Sequence, residues 1–230
     1  MVPAESETLG DHFKSVTMLT IHHLGKSQSE RIIWLCEELG IAYQLELHKR
    51  DSVTNLSPPE LRAMHPMGTA PVITDGAIVL AESGAIIDYI IAKHGGGRLA
   101  RGPADADFAD YLYWYHFANA SLQPVMGRNM LLRRLQLPAD NPVLVSTLER
   151  MDRALRWVDK RLADNAFLAG NELTAADIMA VFSLTTMRYF MPAELGPYPH
   201  ILAYLQRIAQ REAYQRAMLK GDPGMALLLA

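Results

Sequence analysis

The stretch MLTIHHLGKSQSERIIWLCEELGIAYQLELH, residues 18–48, decides how the first half of the chain is built. Met18 to His23 is short, apolar and partly β-branched, which is the composition of a buried strand. Ile32, Leu35, Cys36 and Leu39 then recur at helical spacing, and Gly40 stops the helix. Tyr43 to His48 alternates apolar and polar residues, so a second strand follows. A strand–helix–strand unit implies parallel pairing through a right-handed crossover.

Working outward, Lys49 to His65 is a polar connection that holds a short helix, PELRAM. The runs PVIT (71–74) and IVL (78–80) flank Asp75-Gly76, and Asp-Gly between apolar runs signals a hairpin. Ser83 to His94 is then helical, with Ile86, Ile87, Ile90 and Ile91 on one side, and Gly95-Gly96-Gly97 ends it. The order predicts a mixed four-stranded sheet with helices on its faces. After Gly97 the texture changes. From Asp105 to Met218 apolar residues repeat at helical spacing through residues 108–135, 142–162, 174–187 and 201–218, with no convincing strand. The chain therefore divides into a tail (1–16), an α/β domain (17–97), a linker (98–104) and an all-helical domain (105–230).

Composition narrows the function. The chain has 230 residues, 50% hydrophobic and 20% charged, with a net charge of −3. Without a basic excess, binding nucleic acid by phosphate neutralisation is not expected. The single cysteine, Cys36, allows neither an internal disulfide nor a cysteine-based metal site. No apolar run approaches the ~20 residues that span a bilayer. The first residues carry acids and lack an apolar core, so no secretory signal or membrane association is expected, and a cytoplasmic location follows.

Four local patterns occur in order. S-x-S-x-R spans Ser27 to Arg31, HPMGTAP spans His65 to Pro71, LAES spans Leu80 to Ser83, and ELTAADI spans Glu172 to Ile178. With an α/β half preceding a helical half, the chain from about Met18 to Met218 resembles the cytosolic glutathione transferases. Its N-terminal half is most similar to serine-type bacterial and fungal members. The resemblance implies a thioredoxin-like N-terminal domain and an all-α C-terminal domain. It implies an enzyme that ionises the thiol of glutathione and directs it at a small hydrophobic electrophile. A glutathione-dependent peroxidase or disulfide reductase, or a non-catalytic scaffold of the same fold, remains the alternative. Glutathione is a co-substrate, no cofactor or metal is implied, and the usual assembly is a homodimer.

The resemblance also implies site residues. Ser27 takes the place of the thiolate-contacting hydroxyl. A free thiol has a pKa of about 8.5, and lowering it two units needs roughly 2.7 kcal/mol of preferential anion stabilisation. A hydrogen bond to a charged group contributes roughly 1.5–3 kcal/mol and a helix N-terminus about 0.3–1 more. No tyrosine lies between Met18 and Leu39, which disfavours tyrosine-type classes, and position 27 is not cysteine, which disfavours thiol-exchanging ones. Ser27-Gln28-Ser29-Glu30 is also an S-x-x-E capping box, with Ser29 as helix-start structure, so a purely structural role stays open. Pro71 is expected cis, turning the backbone of Ala70 toward the cysteinyl backbone of glutathione, with Thr69 lining the same pocket. Ser83, as a helix N-cap, and Glu82 would meet the γ-glutamyl end. Lys49 and Arg50 are candidates for the glycyl carboxylate, or plain surface charge. On the aromatic-rich run from Tyr111 to Pro124, Tyr115 and Asn119 are expected to wall the electrophile pocket. Arg128, Arg133 and Arg134 lie at the pocket mouth or on the surface. Trp34 and Cys36 are read as core, and Leu173 to Ile178 as a structural capping motif.

Overall fold

A computed structural model describes residues 18–230; the expected tail, residues 1–16, lies outside them. The first strand, β1 (Thr20–Leu24), leads to helix α1 (Glu30–Leu39) and strand β2 (Gln44–His48). A short helix α2 (Pro59–Ala63) precedes the hairpin β3 (Val72–Asp75) and β4 (Ile78–Ala81), and α3 (Ser83–Lys93) closes this half. The sheet order is β2-β1-β3-β4, with β1 parallel to β2 and antiparallel to β3. The mixed four-stranded sheet is thus the one the sequence order predicts.

Local chemistry sets these boundaries. Gly40 ends α1 in the left-handed region at φ 64°, and the Ile41 N–H returns to the Cys36 carbonyl at 3.0 Å. In the hairpin Asp75 still belongs to the strand, and the two loop residues are Gly76, at φ 63°, and Ala77. Asp75 stays in the ladder because its buried carboxylate accepts from Tyr89 (2.9 Å), Lys93 (3.0 Å) and His94 (2.7 Å), tying the hairpin to the far end of α3. Burial pushes this carboxyl up, but those three donors outweigh it and hold it below the ordinary range. Ile86, Ile87 and Ile90 are fully buried on the inner face of α3, each contributing roughly 1.5–3 kcal/mol of apolar burial.

The second half is helical: α4 (Phe108–Phe117), α5 (Gln123–Arg134), α6 (Pro142–Asp164), α7 (Ala175–Leu184), α8 (Pro199–Ala209) and α9 (Glu212–Gly221). Two features depart from the expected runs. Residues Ala118–Leu122 form a π-helical turn between α4 and α5. The turn precedes Pro124, which has no N–H to offer a regular i−4 ladder. The run 201–218 is two helices broken at Gln210 and Arg211. Every residue of α7 is buried. Its capping box forms as expected: Thr174 Oγ1 accepts the Ala176 N–H at 3.3 Å, and Asp177 accepts the Thr174 N–H at 2.9 Å. Asp177 also accepts from the Leu168 N–H and the Tyr204 hydroxyl. The halves meet where α1 packs on α9. Trp34 sits edge-on to Tyr214 at 5.0 Å, and Arg211 grips Glu38 at 2.7 Å. Cys36 is buried in this core, and burial pushes its thiol up to about 12. No described helix is long and apolar enough to cross a membrane.

Candidate functional site

The loop from Gly25 to Ser29 joins the end of β1 to the start of α1. Lys26 takes φ 52°, a left-handed turn that brings Ser27 back over the helix start. Ser27 is 7% exposed; its Oγ lies 2.7 Å from Ser29 Oγ and accepts the Ser29 N–H at 3.3 Å. The capping box is not formed. Ser29, not Ser27, occupies the N-cap position, and no side chain caps there. Glu30 does not reach back, because its carboxyl is buried, with Oε2 lacking a hydrogen-bond partner among the described residues. Nor is Ser29 a simple helix-start residue. Its Oγ contacts His23 Nδ1 at 2.9 Å and accepts the Leu24 N–H at 3.2 Å.

The Ala70–Pro71 peptide is cis. Next along the chain, Glu82 adopts φ 72°, an outlier for a residue with a side chain and a frequent mark of a functional position. Glu82 therefore holds the N-cap position of α3, and Ser83 is the first helical residue. This corrects the expected cap. The buried Ser83 Oγ turns across the cleft, accepting from Arg31 at 3.3 Å and donating to Gln28 Oε1 at 3.4 Å.

Arg31 is the residue that sequence reasoning passed over. It is 1% exposed, donates to Gln28 Oε1 (3.0 Å) and Gln123 Oε1 (2.7 Å), and lies 5.2 Å over the Phe182 ring. Among the described residues no carboxylate comes within 4.0 Å of it. Burial lowers its pKa to about 10, so it stays a cation at neutral pH. Its only signal was the final letter of S-x-S-x-R.

Two adjoining cavities result. The smaller, about 240 Å³, is lined by Gln28, Thr69, Ala70, Pro71, Glu82, Ser83, Asn119 and Gln123. The larger, about 640 Å³, includes Ser27 and Arg50 and an apolar side of Met130, Phe182, Met187 and Phe190. Gln28, Thr69, Ala70 and Gln123 line both. The structure thus brings Ser27, Thr69, Ala70, Pro71, Glu82 and Ser83 to one cleft.

Other expected residues fall elsewhere. Tyr115 lines neither cavity. It points inward from α4, stacks on Tyr111, and donates to the Gly84 carbonyl (2.9 Å) and Asp88 (3.0 Å), clasping α4 to α3. Asn119, on the π turn, lines the polar cavity rather than the apolar one. Lys49 is exposed and lines neither. It borders a third cavity of about 520 Å³ on the far side of Asp222. Arg50 lines the larger cavity but braces the Ser27 loop, donating to the carbonyls of Gly25 (2.9 Å) and Lys26 (3.1 Å). Arg134 lines the larger cavity, whereas Arg128 and Arg133 are exposed outside it.

Comparison with known proteins agrees with this geometry. The family model described as "Glutathione S-transferase, N-terminal domain" matches residues 23–98, and "Glutathione S-transferase, C-terminal domain" matches residues 113–212. Glutathione S-transferase 3 of Schizosaccharomyces pombe is 28% identical over 226 residues, covering 93% of this chain and 92% of that protein. A glutathione S-transferase structure from Actinobacillus pleuropneumoniae superposes with a TM-score of 0.81 at 30% identity, covering 89% and 93% of the two chains. A theta class glutathione S-transferase from Xanthomonas axonopodis pv. citri, solved with glutathione bound, gives 0.67 at 27% identity over 87% and 97%. The chain also matches the probable elongation factor 1-gamma 2 of Arabidopsis thaliana, 24% identical over 87% of this chain but only 49% of that protein. On the two family domains, the near full-length relative and the shared fold, the chain belongs to the glutathione S-transferase family.

Proposed function

We propose that the protein is a glutathione transferase that holds the tripeptide across the two joined cavities, ionises its thiol at Ser27 and directs the sulfur at a small apolar electrophile. The observation that carries this reading is the continuity of the cleft. A hydroxyl at a helix start lines an apolar cavity that shares Gln28, Thr69, Ala70 and Gln123 with a polar cavity, and Ser83 in that polar cavity is backed by the buried Arg31.

Each end has a chemistry. Arg31, with no carboxylate partner among the described residues, together with Ser83 and the first N–H groups of α3, suits the α-carboxylate of the γ-glutamyl end. Glu82 suits its ammonium, and the backbone of Ala70 suits the cysteinyl peptide. Ser27 then donates to the thiolate, which attacks the electrophilic carbon; the C–S bond forms as the leaving group departs with its electron pair. The apolar side chains hold the second substrate near the sulfur, supplying proximity rather than chemistry.

Titration calorimetry with glutathione and conjugation of a chlorinated aromatic test the reading together. Ser27→Ala is expected to keep glutathione binding and to lose roughly ten- to a hundredfold in kcat/KM, the worth of one hydrogen bond to a charged group. Normal turnover by the folded variant would remove Ser27 from the chemistry. The elongation factor relative supports a second reading, a binding module that keeps the fold without the reaction. No binding at millimolar glutathione would favour it. Binding without conjugation would point to peroxidase or disulfide reductase activity. The family resemblance supports a cytoplasmic homodimer, which sedimentation at micromolar protein would refute by showing a monomer.

A further inference from the structure

Helix α9 ends at Gly221, which passes close to Ile33 of α1 and His23 of β1. A Cβ there would lie 2.9 Å from Ile33 Cδ1 and 3.2 Å from the His23 ring. That close pass delivers Asp222 to the back of the Ser27 loop, 196 residues from Lys26 in sequence. Its carboxylate accepts the Lys26 N–H at 3.0 Å and lies 3.1 Å from His23 Nε2. Burial pushes the Asp222 carboxyl up, but the bond from His23 and the Lys26 N–H outweigh it and hold the group below its usual value.

A carboxylate at that position fixes the tautomer of the neutral ring, with the proton on Nε2 and Nδ1 left as an acceptor. His23 Nδ1 lies 2.9 Å from Ser29 Oγ, so the single Ser29 proton points there. Ser29 Oγ then accepts, both from the Leu24 N–H and from Ser27 Oγ at 2.7 Å. Ser27 has thus committed its own proton inward, and what it turns to the cleft is a lone pair. A hydroxyl so arranged accepts from a thiol and has no proton with which to hold a thiolate.

We propose that Asp222, His23 and Ser29 are positioning residues of a proton relay that draws the glutathione thiol proton through Ser27 to His23. The inference rests on the glutathione reading above. The S–H proton passes to Ser27 Oγ as the Ser27 proton passes to Ser29 Oγ and the Ser29 proton to His23 Nδ1. Sulfur keeps the bonding pair and becomes the thiolate; His23 becomes an imidazolium whose Nε2–H still donates to Asp222. Total charge is unchanged. Every hydroxyl ends with its proton turned toward the sulfur, so Ser27 now donates to the anion. His23 keeps the proton while the thiolate persists and gives it to water through the third cavity, which His23 and Asp222 line, only once the sulfur has been consumed. The titratable and charged groups around His23 are Asp222, Lys26 and Glu30 on its own side, with His48, Lys49 and Arg50 across that cavity.

The test follows the ultraviolet thiolate absorbance of bound glutathione against pH, with S-methylglutathione, which has no thiol, as the binding control. In the unaltered protein the bound thiol is expected to ionise about two pH units below the free ~8.5. Asp222→Asn and His23→Gln are expected to raise that value by about one unit and to move the kcat/KM profile with it, leaving S-methylglutathione affinity unchanged. Folded variants with an unshifted value overturn the relay and leave Ser27 standing. A bound thiol that is not ionised even in the unaltered protein overturns the glutathione reading and the relay together. A second measurement needs no variant: nitrogen-15 spectra of labelled histidines should show one ring pass from the Nε2–H tautomer to imidazolium with glutathione but not with S-methylglutathione. A ring that stays neutral while the thiolate forms also overturns the relay.

Discussion

At the polar end of the cleft, Arg31, Gln28, Ser83 and Gln123 hold one another through hydrogen bonds of 3.0, 3.3, 2.7 and 3.4 Å. At the other end Met130, Phe182, Met187 and Phe190 share an apolar cavity wall, with a guanidinium over each of the two phenylalanine rings. The polar end concentrates its energy in a few directional contacts around one buried cation, where removing a partner strands the rest. The apolar end spreads its energy over many weak contacts, any one of which can be lost cheaply. Substitutions in the first should act sharply and on glutathione; those in the second should act mildly and on the second substrate.

The largest expected effect lies beneath the polar end, at Glu30. Burial pushes its carboxyl from 4.5 up to about 8, against the pull of Thr186 and Arg31. At neutral pH it is therefore protonated, and Arg31 has no counter-ion within 4.0 Å among the described residues. The folded state holds this proton more tightly than the unfolded chain does. Its contribution to stability is full below about pH 4.5, declines as pH rises, and is gone above about 8. Glu30→Gln should remove that dependence. Against the unaltered protein the variant should gain a few kcal/mol on going from about pH 5 to 9, read from denaturant midpoints. Parallel curves would mean Glu30 ionises freely and that Arg31 is paired within the protein.

Next in size is Arg31→Lys. An ammonium cannot serve Gln28, Ser83, Gln123 and a ligand carboxylate together. Losing one charge-assisted bond should weaken glutathione binding about tenfold or more, measured by calorimetry. Unchanged affinity would place the ligand carboxylate elsewhere and erase the contrast between the two ends.

What was legible in the sequence follows the same divide. Strand β1, helix α1, the hairpin and α3 were readable because each is a local period bounded by a local stop such as Gly40 or Gly76. Ser27, Ala70, Pro71, Glu82 and Ser83 stand within short motifs beside those elements, so their convergence followed from the topology. The partners they meet did not. Gln123 reaches Arg31 from a helix 92 positions on, and Asp222 reaches His23 from the end of α9. No periodicity encodes such contacts. The π turn at Ala118–Leu122 also interrupts the helical period, and Asn119 on it lines the polar cavity instead of the apolar one. The apolar wall itself comes from α5, α7 and the turn after it, segments whose hydrophobic residues look like core until they are packed.

Phe190→Ala probes that wall. The ring is 39% exposed and carries Arg50 at 5.3 Å. Its loss should raise KM for an apolar electrophile about threefold to tenfold, on the order of 1 kcal/mol, with glutathione affinity unchanged. A fall in glutathione affinity of the same size would show that the two ends are one site energetically, through the Arg50 brace on the Ser27 loop.

The smallest effect separates architecture from site. Tyr115 lies on the helix that leads into the cleft, yet its hydroxyl is spent on Gly84 and Asp88. Tyr115→Phe keeps the ring and its stacking on Tyr111 while removing both bonds. The Gly84 carbonyl lies in the first turn of α3 and Asp88 is exposed to water, so neither is stranded deeply. A loss of about 1 kcal/mol in unfolding free energy is expected, with KM for both substrates unmoved. Should the electrophile KM change while stability holds, the aromatic face of α4 would reach the second substrate after all, and the apolar end would extend past the π turn.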